Sequence, residues 1–300
     1  MFKGKIKTWL RAVRPFSFTG SVIPVTLGAI LSIKQNRFQF QYYMLSVIAI
    51  VFLQAAVNLL SDHDDYENKV DTKDSYGSSG VILEELLSSK QVHKGGIFCL
   101  IIGSLIGLFL SYEKGLFILI LGLIGAFGGY SYTGKPLRLK YKGLGAPLVF
   151  LLFGPLMVIG SYYVQMQSVS AVAFYVSIPV GLLTTAILHA NDIRDILYDE
   201  KAGIKTLSML VGRNNAKKIY CGMLLLSYLS IIVMSLSRTI PYWSLLCLIT
   251  LPSAYKNAKI LYSSRDSNPG LVTLDKSTAK LQAQFSIILI SSILLSFLLG

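Results

Sequence analysis

Long apolar runs constrain this chain more than any other feature of its sequence. Nine runs are long enough to cross the ~30 Å hydrocarbon core of a bilayer as helices. Because the runs are continuously apolar and do not alternate with polar residues, they predict helices and exclude the strands of a barrel. The chain is therefore expected to be an all-α polytopic membrane protein, with predicted spans at about 18–34, 42–60, 97–112, 116–133, 145–164, 172–190, 219–236, 240–256 and 282–299.

The composition excludes the soluble classes of protein. Hydrophobic residues make up 53% of the chain and charged residues 14%, whereas a soluble domain has about 25% charged residues. The net charge of +13 would suggest nucleic acid in a soluble protein, but here no nucleic-acid partner is expected. In a membrane protein, basic residues collect on cytoplasmic loops.

The distribution of Lys and Arg provides a test of the nine-span topology. With the N-terminus in the cytoplasm, the inner segments hold 24 of the 28 basic residues and the outer segments hold four. This asymmetry is what the positive-inside rule requires. We therefore predict a multi-pass protein of the plasma (inner) membrane, with a cytoplasmic N-terminus and with the loops after the even-numbered spans in the cytoplasm.

Acidic residues are concentrated in two of these inner loops, which hold 12 of the 15. The first loop begins where the second span ends. In it Asn58, Asp62 and Asp65 are four and then three residues apart, which places them on one face of a helix that continues out of the span.

The second acidic loop has a matched pattern at the end of the sixth span. There Asn191, Asp195 and Asp199 are each four residues apart, and they also share one helix face. A single cluster of this kind is usually a solvated set of loop charges. Two matched clusters at the membrane edge instead favour a functional site, and they indicate an internal repeat of spans 1–4 and 5–8 followed by a ninth span.

Carboxylates from both clusters would be crowded together if the two helices faced each other. Like charges at close range either raise their pKa values or recruit cations. Mg²⁺ fits such a site best, because it binds through one or two carboxylates together with the phosphates of a substrate.

A basic strip follows the fourth span on the same predicted side. Two interpretations of these basic residues remain open. They are ordinary positive charge on a cytoplasmic loop, or they bind the phosphates that acid-bound metals hold. Small residues at 78–81 could approach a phosphate closely. Carboxylates, cations and an apolar chamber together suit a diphosphate attached to a lipid. The basic strip comprises Lys135, Arg138, Lys140 and Lys142.

These motifs resemble those of the UbiA superfamily of intramembrane prenyltransferases over nearly the whole chain. The residues that carry the resemblance are 58–71 (NLLSDHDDYENKVD), 191–199 (NDIRDILYD) with Lys205 and Thr206, 132–137 (YTGKPL) and 14–17 (RPFS). Within the superfamily, the first motif and residues 79–82 (SGVI) are most similar to the 1,4-dihydroxy-2-naphthoate polyprenyltransferases of menaquinone synthesis. Ser61 stands where that branch usually carries Asn.

The resemblance implies a single domain over residues 1–300, a helical bundle around a central cavity, Mg²⁺ dependence, a polyprenyl diphosphate donor and an aromatic acceptor. It also implies that Arg194 pairs with phosphate or with an acid. No obligatory protein partner is indicated. The implied metal ligands are Asp62, Asp65, Asp71, Asp192, Asp195 and Asp199; the implied diphosphate-binding residues are Asn58, Ser79, Tyr132, Asn191 and Lys205; and Lys135 and Arg138 would assist the leaving group.

Two other functions remain open at this stage. One keeps the chemistry but changes the acceptor to 4-hydroxybenzoate or another ring. The other is a secondary transporter in which the acids form an ion site, which would place them near the middle of the membrane. The predicted position of the acids at the membrane edge favours the prenyltransferase.

Overall fold

The structure is a computed structural model that describes residues 2–72, 76–263 and 269–299. These described residues are almost entirely helical and contain no β-strand longer than an isolated bridge. Asp74, one of the acids of the first loop, lies outside the described residues. The α-helices in these ranges are α1 Phe2–Val13, α2 Thr19–Ile30, α3 Phe40–Glu67, α4 Ser89–Lys114, α5 Leu116–Ser131, α6 Gly145–Leu151, α7 Met157–Met166, α8 Ala171–Lys201, α9 Leu207–Val211, α10 Arg213–Leu236, α11 Leu251–Ser263, α12 Pro269–Val272 and α13 Leu274–Leu299.

Seven helical segments within the described ranges are long and apolar enough to cross a membrane. They confirm the all-α, multi-pass class that the apolar runs predict. The count of nine spans is approximate, because two of the predicted spans are shorter helices. The spanning segments are Pro15–Gln35, Phe40–Glu67, Ser89–Lys114, Gly145–Met166, Ala171–Lys201, Arg213–Leu236 and Leu274–Phe297.

The two shorter segments differ from full spans for identifiable reasons. Helix α5 has 16 residues, which at 1.5 Å per residue reach about 24 Å. The run predicted at 240–256 is divided into a 3₁₀ helix, Tyr242–Thr250, and α11. Pro252 lies in the first turn of α11, where its missing N–H is tolerated. The hydropathy of the sequence identifies both segments as apolar. It does not show the length of the helix that forms or where a 3₁₀ helix changes to an α-helix.

Helix α8 forms the centre of the bundle. It packs against α6, α10 and α13, and the largest buried apolar cluster is built around it. The span containing Pro155 has a π-helical turn at Leu152–Leu156, as expected where Pro removes a backbone donor. A Cβ on Gly181 of α8 would lie 2.9 Å from the Cα of Gly154, so these two glycines allow α8 and the π turn to touch directly.

Large apolar side chains cover the outer surface of the bundle. Phe98, Ile101 and Leu105 on α4 are more than half exposed, as are Leu225 and Val233 on α10. A soluble protein rarely exposes apolar patches of this extent, so this surface is expected to face lipid.

The lengths of α3 and α8 position the acidic motifs. With 28 and 31 residues, these helices reach about 42 and 46 Å, which exceeds the ~30 Å hydrocarbon core. These helices are therefore long enough for their last turns, which carry the two Asn/Asp motifs, to extend beyond the apolar layer.

We expect cysteines at the two ends of the bundle to be labelled from opposite sides of the membrane. Lys90 at the start of α4 and Arg238 after α10 are both exposed. In intact cells of a variant whose three native cysteines are replaced, an impermeant maleimide should label Arg238→Cys and fail to label Lys90→Cys. The reverse pattern would invert the predicted topology, and lysed cells provide the control that both sites react.

Candidate active site

A cavity of about 240 Å³ opens between α2, α3, α6 and α8. Its inner wall is apolar, and its polar residues come from the ends of α3 and α8 and from the loops beside them. This is the central cavity implied by the sequence resemblance. The apolar wall includes Val57, Leu148, Val149, Leu152, Phe153 and Leu188.

The polar part of the cavity carries more negative than positive groups. Five carboxylates line it, against three basic side chains. Such an excess, near an apolar chamber, favours the uptake of a cation. The carboxylates are those of Asp65, Asp71, Asp192, Asp195 and Asp199, and the basic residues are Arg14, Lys140 and Arg194.

Asp65 of the first motif is held by the segment that follows α5. Lys140 Nζ donates to Asp65 Oδ2 at 2.7 Å, and the Tyr141 hydroxyl donates to Asp65 Oδ1 at 2.5 Å. The Lys140 amide donates in turn to the Tyr132 carbonyl at 2.8 Å, which fixes the turn. Burial lowers the pKa of Lys140, but the charge of Asp65 opposes it and leaves that pKa well above its usual range. Lys140 is therefore a permanent cation at this site.

Asp62 of the same motif faces away from the main cavity. It forms an ion pair with Arg14, and it accepts hydrogen bonds from the Ser79 hydroxyl and from the Ser79 amide at 3.2 Å. It lines a small adjoining pocket together with Ser78 and Gly80. Ser79 therefore contacts the predicted metal ligand and does not itself line the main cavity.

Asp71 is brought back toward the motif by the end of α3. The Asp65 carbonyl accepts from the amides of Val70 at 2.8 Å and Asp71 at 3.2 Å, which reverses the chain. Burial, and then the nearby Asp65 charge, raise the pKa of Asp71 to about 7. The Asp71 carboxyl is thus poised between its neutral form and a form that a cation would stabilise.

The two acidic motifs meet at Gly77. A Cβ added to Gly77 would lie 3.6 Å from Asp71 Oδ1 and 3.6 Å from Asp195 Oδ2. The expectation that the two motifs would come together is therefore met by the geometry. A Cβ at this distance is in ordinary van der Waals contact with both carboxylates, so a longer side chain would enter the space between them.

Arg194 on α8 contacts acids in this structure. Its Nε and Nη2 donate to the two oxygens of Asp195 at 2.8 and 2.7 Å, and its Nη1 donates to Asp275 at 3.1 Å on α13. In contrast, no basic side chain among the described residues forms an ion pair with Asp192 or Asp199. Those two carboxylates therefore have no compensating cation within ion-pair distance in the part of the chain that the structure describes.

The two asparagines of the motifs have different surroundings. Asn58 Nδ2 donates to the Val13 carbonyl and to Ser17 Oγ, both at 2.8 Å, and Asn58 Oδ1 accepts from Gln54 at 3.0 Å. Asn191 Oδ1 is buried and has no hydrogen-bond partner in the described structure. An unpaired buried oxygen is costly unless a ligand or water satisfies it.

Three further residues with predicted roles, like Ser79, lie away from the cavity lining. Lys135 and Lys205 are exposed, and Lys205 pairs with Lys142 in an isolated β-bridge. Arg138 Nη2 donates to Asn68 Oδ1 at 2.8 Å. Lys140, a member of the same basic strip, lines the cavity instead.

Arg14 also lines the cavity and was not among the residues assigned a role from the sequence. The signal was present in the resemblance of residues 14–17, but nothing in the sequence shows that this residue reaches Asp62. Tyr132, which was assigned a diphosphate-binding role, does line the cavity.

The residues present fit a divalent cation that arrives with a phosphate ligand. No group of three or more His, Cys, Asp or Glu side chains in the described part of the chain is arranged as a ready metal site. Mg²⁺ does not need such a cage, since it binds through one or two carboxylates plus phosphates. The uncompensated carboxylates and the unpaired Asn191 oxygen provide the hard oxygen donors it prefers.

Comparisons with known proteins and with protein-family models point to one family. The model of the "UbiA prenyltransferase family" matches residues 21–274. The 1,4-dihydroxy-2-naphthoate octaprenyltransferase of Bacillus subtilis is 25% identical over 95% of this chain and 91% of its own length. The UbiA prenyltransferase domain-containing protein 1 of Xenopus tropicalis is 32% identical over 85% of this chain and 73% of its own.

A solved structure shares the fold. A UbiA homologue from Archaeoglobus fulgidus, bound to GPP and Mg²⁺, superposes with a TM-score of 0.66 at 16% identity, over 95% of this chain and 99% of that one. Because only 16% of the residues are identical, this similarity establishes the fold alone.

We expect a bulky side chain at Gly77 to block the space between the two acidic motifs. Gly77→Leu should weaken the Mg²⁺-dependent binding of inorganic pyrophosphate by more than about tenfold, because the new side chain must displace carboxylates packed around it. Binding is measured as the shift in melting temperature on titration. Gly222→Leu is the matched control, since a Cβ there meets nothing within 4 Å; an equal loss in both variants would contradict the assignment.

Proposed function

The chain belongs to the UbiA prenyltransferase family, and we propose that it transfers a polyprenyl group from a polyprenyl diphosphate to 1,4-dihydroxy-2-naphthoate, in menaquinone biosynthesis. The observation that carries the proposal is a single cavity in which an apolar wall meets five carboxylates and three cations. An isoprenoid diphosphate has the same division, with an apolar chain attached to a charged head.

We propose that the apolar wall holds the prenyl chain. Leu152, Phe153 and Leu188 line this part of the cavity, and burial of a hydrocarbon chain contributes about 0.8 kcal/mol per CH₂. The wall also keeps water away from the reacting carbon, which prevents hydrolysis of a reactive carbocation.

We propose that both acidic motifs hold the diphosphate through Mg²⁺. Asp65 and Asp71 on one side and Asp192, Asp195 and Asp199 on the other are the candidate ligands, with Asp62 and Asn191 as further candidates. Bound there, Mg²⁺ would neutralise the charge that develops on the leaving diphosphate. A partial ligand set on each helix suits a metal that shares its coordination with the substrate.

The basic residues have a distinct part in the proposed reaction. Arg14 and Lys140 line the cavity beside the carboxylates, where their donors can bind phosphate oxygens as negative charge accumulates. The allylic C–O bond breaks and its electron pair leaves with the diphosphate. The electron-rich acceptor ring then forms a C–C bond to the allylic cation, and the substituted ring carbon loses carbon dioxide.

Tyr132 and Arg194 support this arrangement in different ways. Tyr132 lines the cavity, and burial raises the pKa of its hydroxyl, so it stays neutral and can donate a hydrogen bond to phosphate or face the cation with its ring. Arg194 donates to both Asp195 and Asp275 of α13, which holds the Asp195 carboxylate in place. Lys135, Arg138 and Lys205 lie outside the cavity lining, so the predicted roles of Lys135 and Arg138 in assisting the leaving group and of Lys205 in binding the diphosphate require movement of their loops.

The acceptor is proposed from the similarity to the Bacillus subtilis naphthoate octaprenyltransferase. Ser61, the residue that departs from that branch, lines the cavity, and its Oγ lies 3.5 Å from Thr133 Oγ1. It is therefore placed where it could affect the choice of ring. The transporter alternative is disfavoured by the family to which the chain belongs.

We propose that the diphosphate site opens to the cytoplasm. The support is the charge asymmetry of the loops, 24 basic residues against four, because the acidic motifs lie at the same end of the bundle as the basic-rich loops.

We expect Asp192→Asn to lower kcat/KM by more than about 100-fold, because a charged oxygen donor at the proposed metal site is lost. The same variant should melt at an equal or higher temperature, since it removes one charge from a cluster in which Asp192 has no ion pair. Glu200→Gln, at an exposed acid on the same helix, is the control and should retain activity. Full Mg²⁺-dependent turnover by Asp192→Asn would refute the ligand assignment.

We expect 1,4-dihydroxy-2-naphthoate to be the preferred acceptor in competition. Purified protein would receive Mg²⁺, one polyprenyl diphosphate and equal amounts of 1,4-dihydroxy-2-naphthoate, 4-hydroxybenzoate and homogentisate, and the products would be separated by mass. A demethylmenaquinol, or the demethylmenaquinone that air oxidation forms from it, should dominate. Dominance of prenylated hydroxybenzoate would change the acceptor and leave the prenyltransferase chemistry in place.

A further inference from the structure

The first helix, α1, has a composition unlike that of the spanning helices. Its 12 residues include four basic residues and no acidic one. Ile6 and Leu10 lie on one face, four residues apart, and are 50% and 53% exposed. Lys5 and Lys7 flank this face and are also exposed.

A different face of α1 is already occupied by the protein. Trp9, Ala12 and Val13 pack into an apolar cluster with Leu59 of α3 and Val92 of α4. The exposure of Ile6 and Leu10 is therefore not explained by contacts within the described chain.

The position of α1 places its exposed face at the membrane surface. The helix ends at Val13, and the first spanning segment begins at Pro15. A helix joined so closely to a span lies at the depth of the lipid headgroups.

The orientation of α1 is fixed by contacts at its C-terminal end. Arg11 Nε donates to the Ser79 carbonyl at 2.7 Å, and its guanidinium donates to the two oxygens of Glu84 at 2.7 and 2.5 Å. The Val13 carbonyl accepts from Asn58 at 2.8 Å. These contacts hold α1 against α3. The helix therefore loses little conformational entropy when its exposed face binds a partner.

We infer that α1 is an interfacial helix whose exposed face docks on the anionic lipid surface of the membrane. Ile6 and Leu10 would enter the boundary between headgroups and acyl chains, while Lys5 and Lys7 would reach the lipid phosphates. Lys5 and Lys7 form no ion pair among the described residues, which matches an anionic bilayer, and the adjoining span places that bilayer beside the helix. The inference does not depend on the proposed enzymatic function.

The test measures the depth of α1 in bilayers of defined composition. Full-length protein lacking its three native cysteines would carry Ile6→Cys with an environment-sensitive fluorophore, in nanodiscs of phosphatidylcholine alone or with phosphatidylglycerol. Nitroxide-labelled lipids would quench the fluorophore when it is docked. Quenching should be strong in the anionic discs, and Lys5→Glu with Lys7→Glu should lower the ratio of docked to undocked protein by about tenfold or more, since basic residues near an anionic surface are attracted to it.

The matched control is Lys256→Glu with Lys259→Glu, which makes the same change of charge at exposed positions on α11. It should leave the quenching unchanged, and the melting temperatures of all variants should agree. The inference is overturned if quenching is the same with and without anionic lipid, if the α1 double variant retains it, or if the control loses it equally. None of these readouts requires turnover, so they are independent of the prenyltransferase assignment.

Discussion

The burial of excess negative charge at the mouth of an apolar cavity is the constraint on which the rest of this structure depends. Each basic residue at the site holds an acid that comes from another segment of the chain. Lys140 joins the segment after α5 to Asp65 on α3, and Arg194 joins Asp195 on α8 to Asp275 on α13. Removal of one partner from a buried pair costs about 3–5 kcal/mol, because the other charge is left uncompensated. The same pairs therefore connect the helices and define the cavity rim.

The lengths of two helices and one close contact explain why the charges lie where they do. Helices α3 and α8 are longer than the hydrocarbon core is thick, so their last turns can carry carboxylates without placing them in hydrocarbon. Gly154 and Gly181 allow the π turn to touch α8. The apolar wall thus lies directly below the acids, and an amphiphilic substrate can span both regions.

Much of this arrangement could be predicted from the sequence because it follows from periodicity. Apolar runs predicted the helical membrane fold, and the matched Asn/Asp spacings predicted acids from two helices around one site, where Asp65 of α3 and Asp195 of α8 line the same cavity. Helix periodicity does not describe loops. Lys140, and not Arg138, reaches the cavity because of the turn at Leu139–Tyr141. The apolar run likewise does not show that Tyr242–Thr250 forms a 3₁₀ helix.

Two of the acids at the site are already paired with cations, and under the proposed function these ion pairs affect which ligands can bind. Lys140 and Arg14 compensate Asp65 and Asp62 in this structure, so a ligand that supplied only negative charge would take these cations and leave the acids uncompensated. A ligand that supplied only a metal would leave the cations uncompensated in the same way. A metal together with a diphosphate supplies both signs, so every pair can exchange partners without stranding a buried charge. The rim is therefore suited to bind the two components together, which couples recognition of the diphosphate to the cation required for its departure.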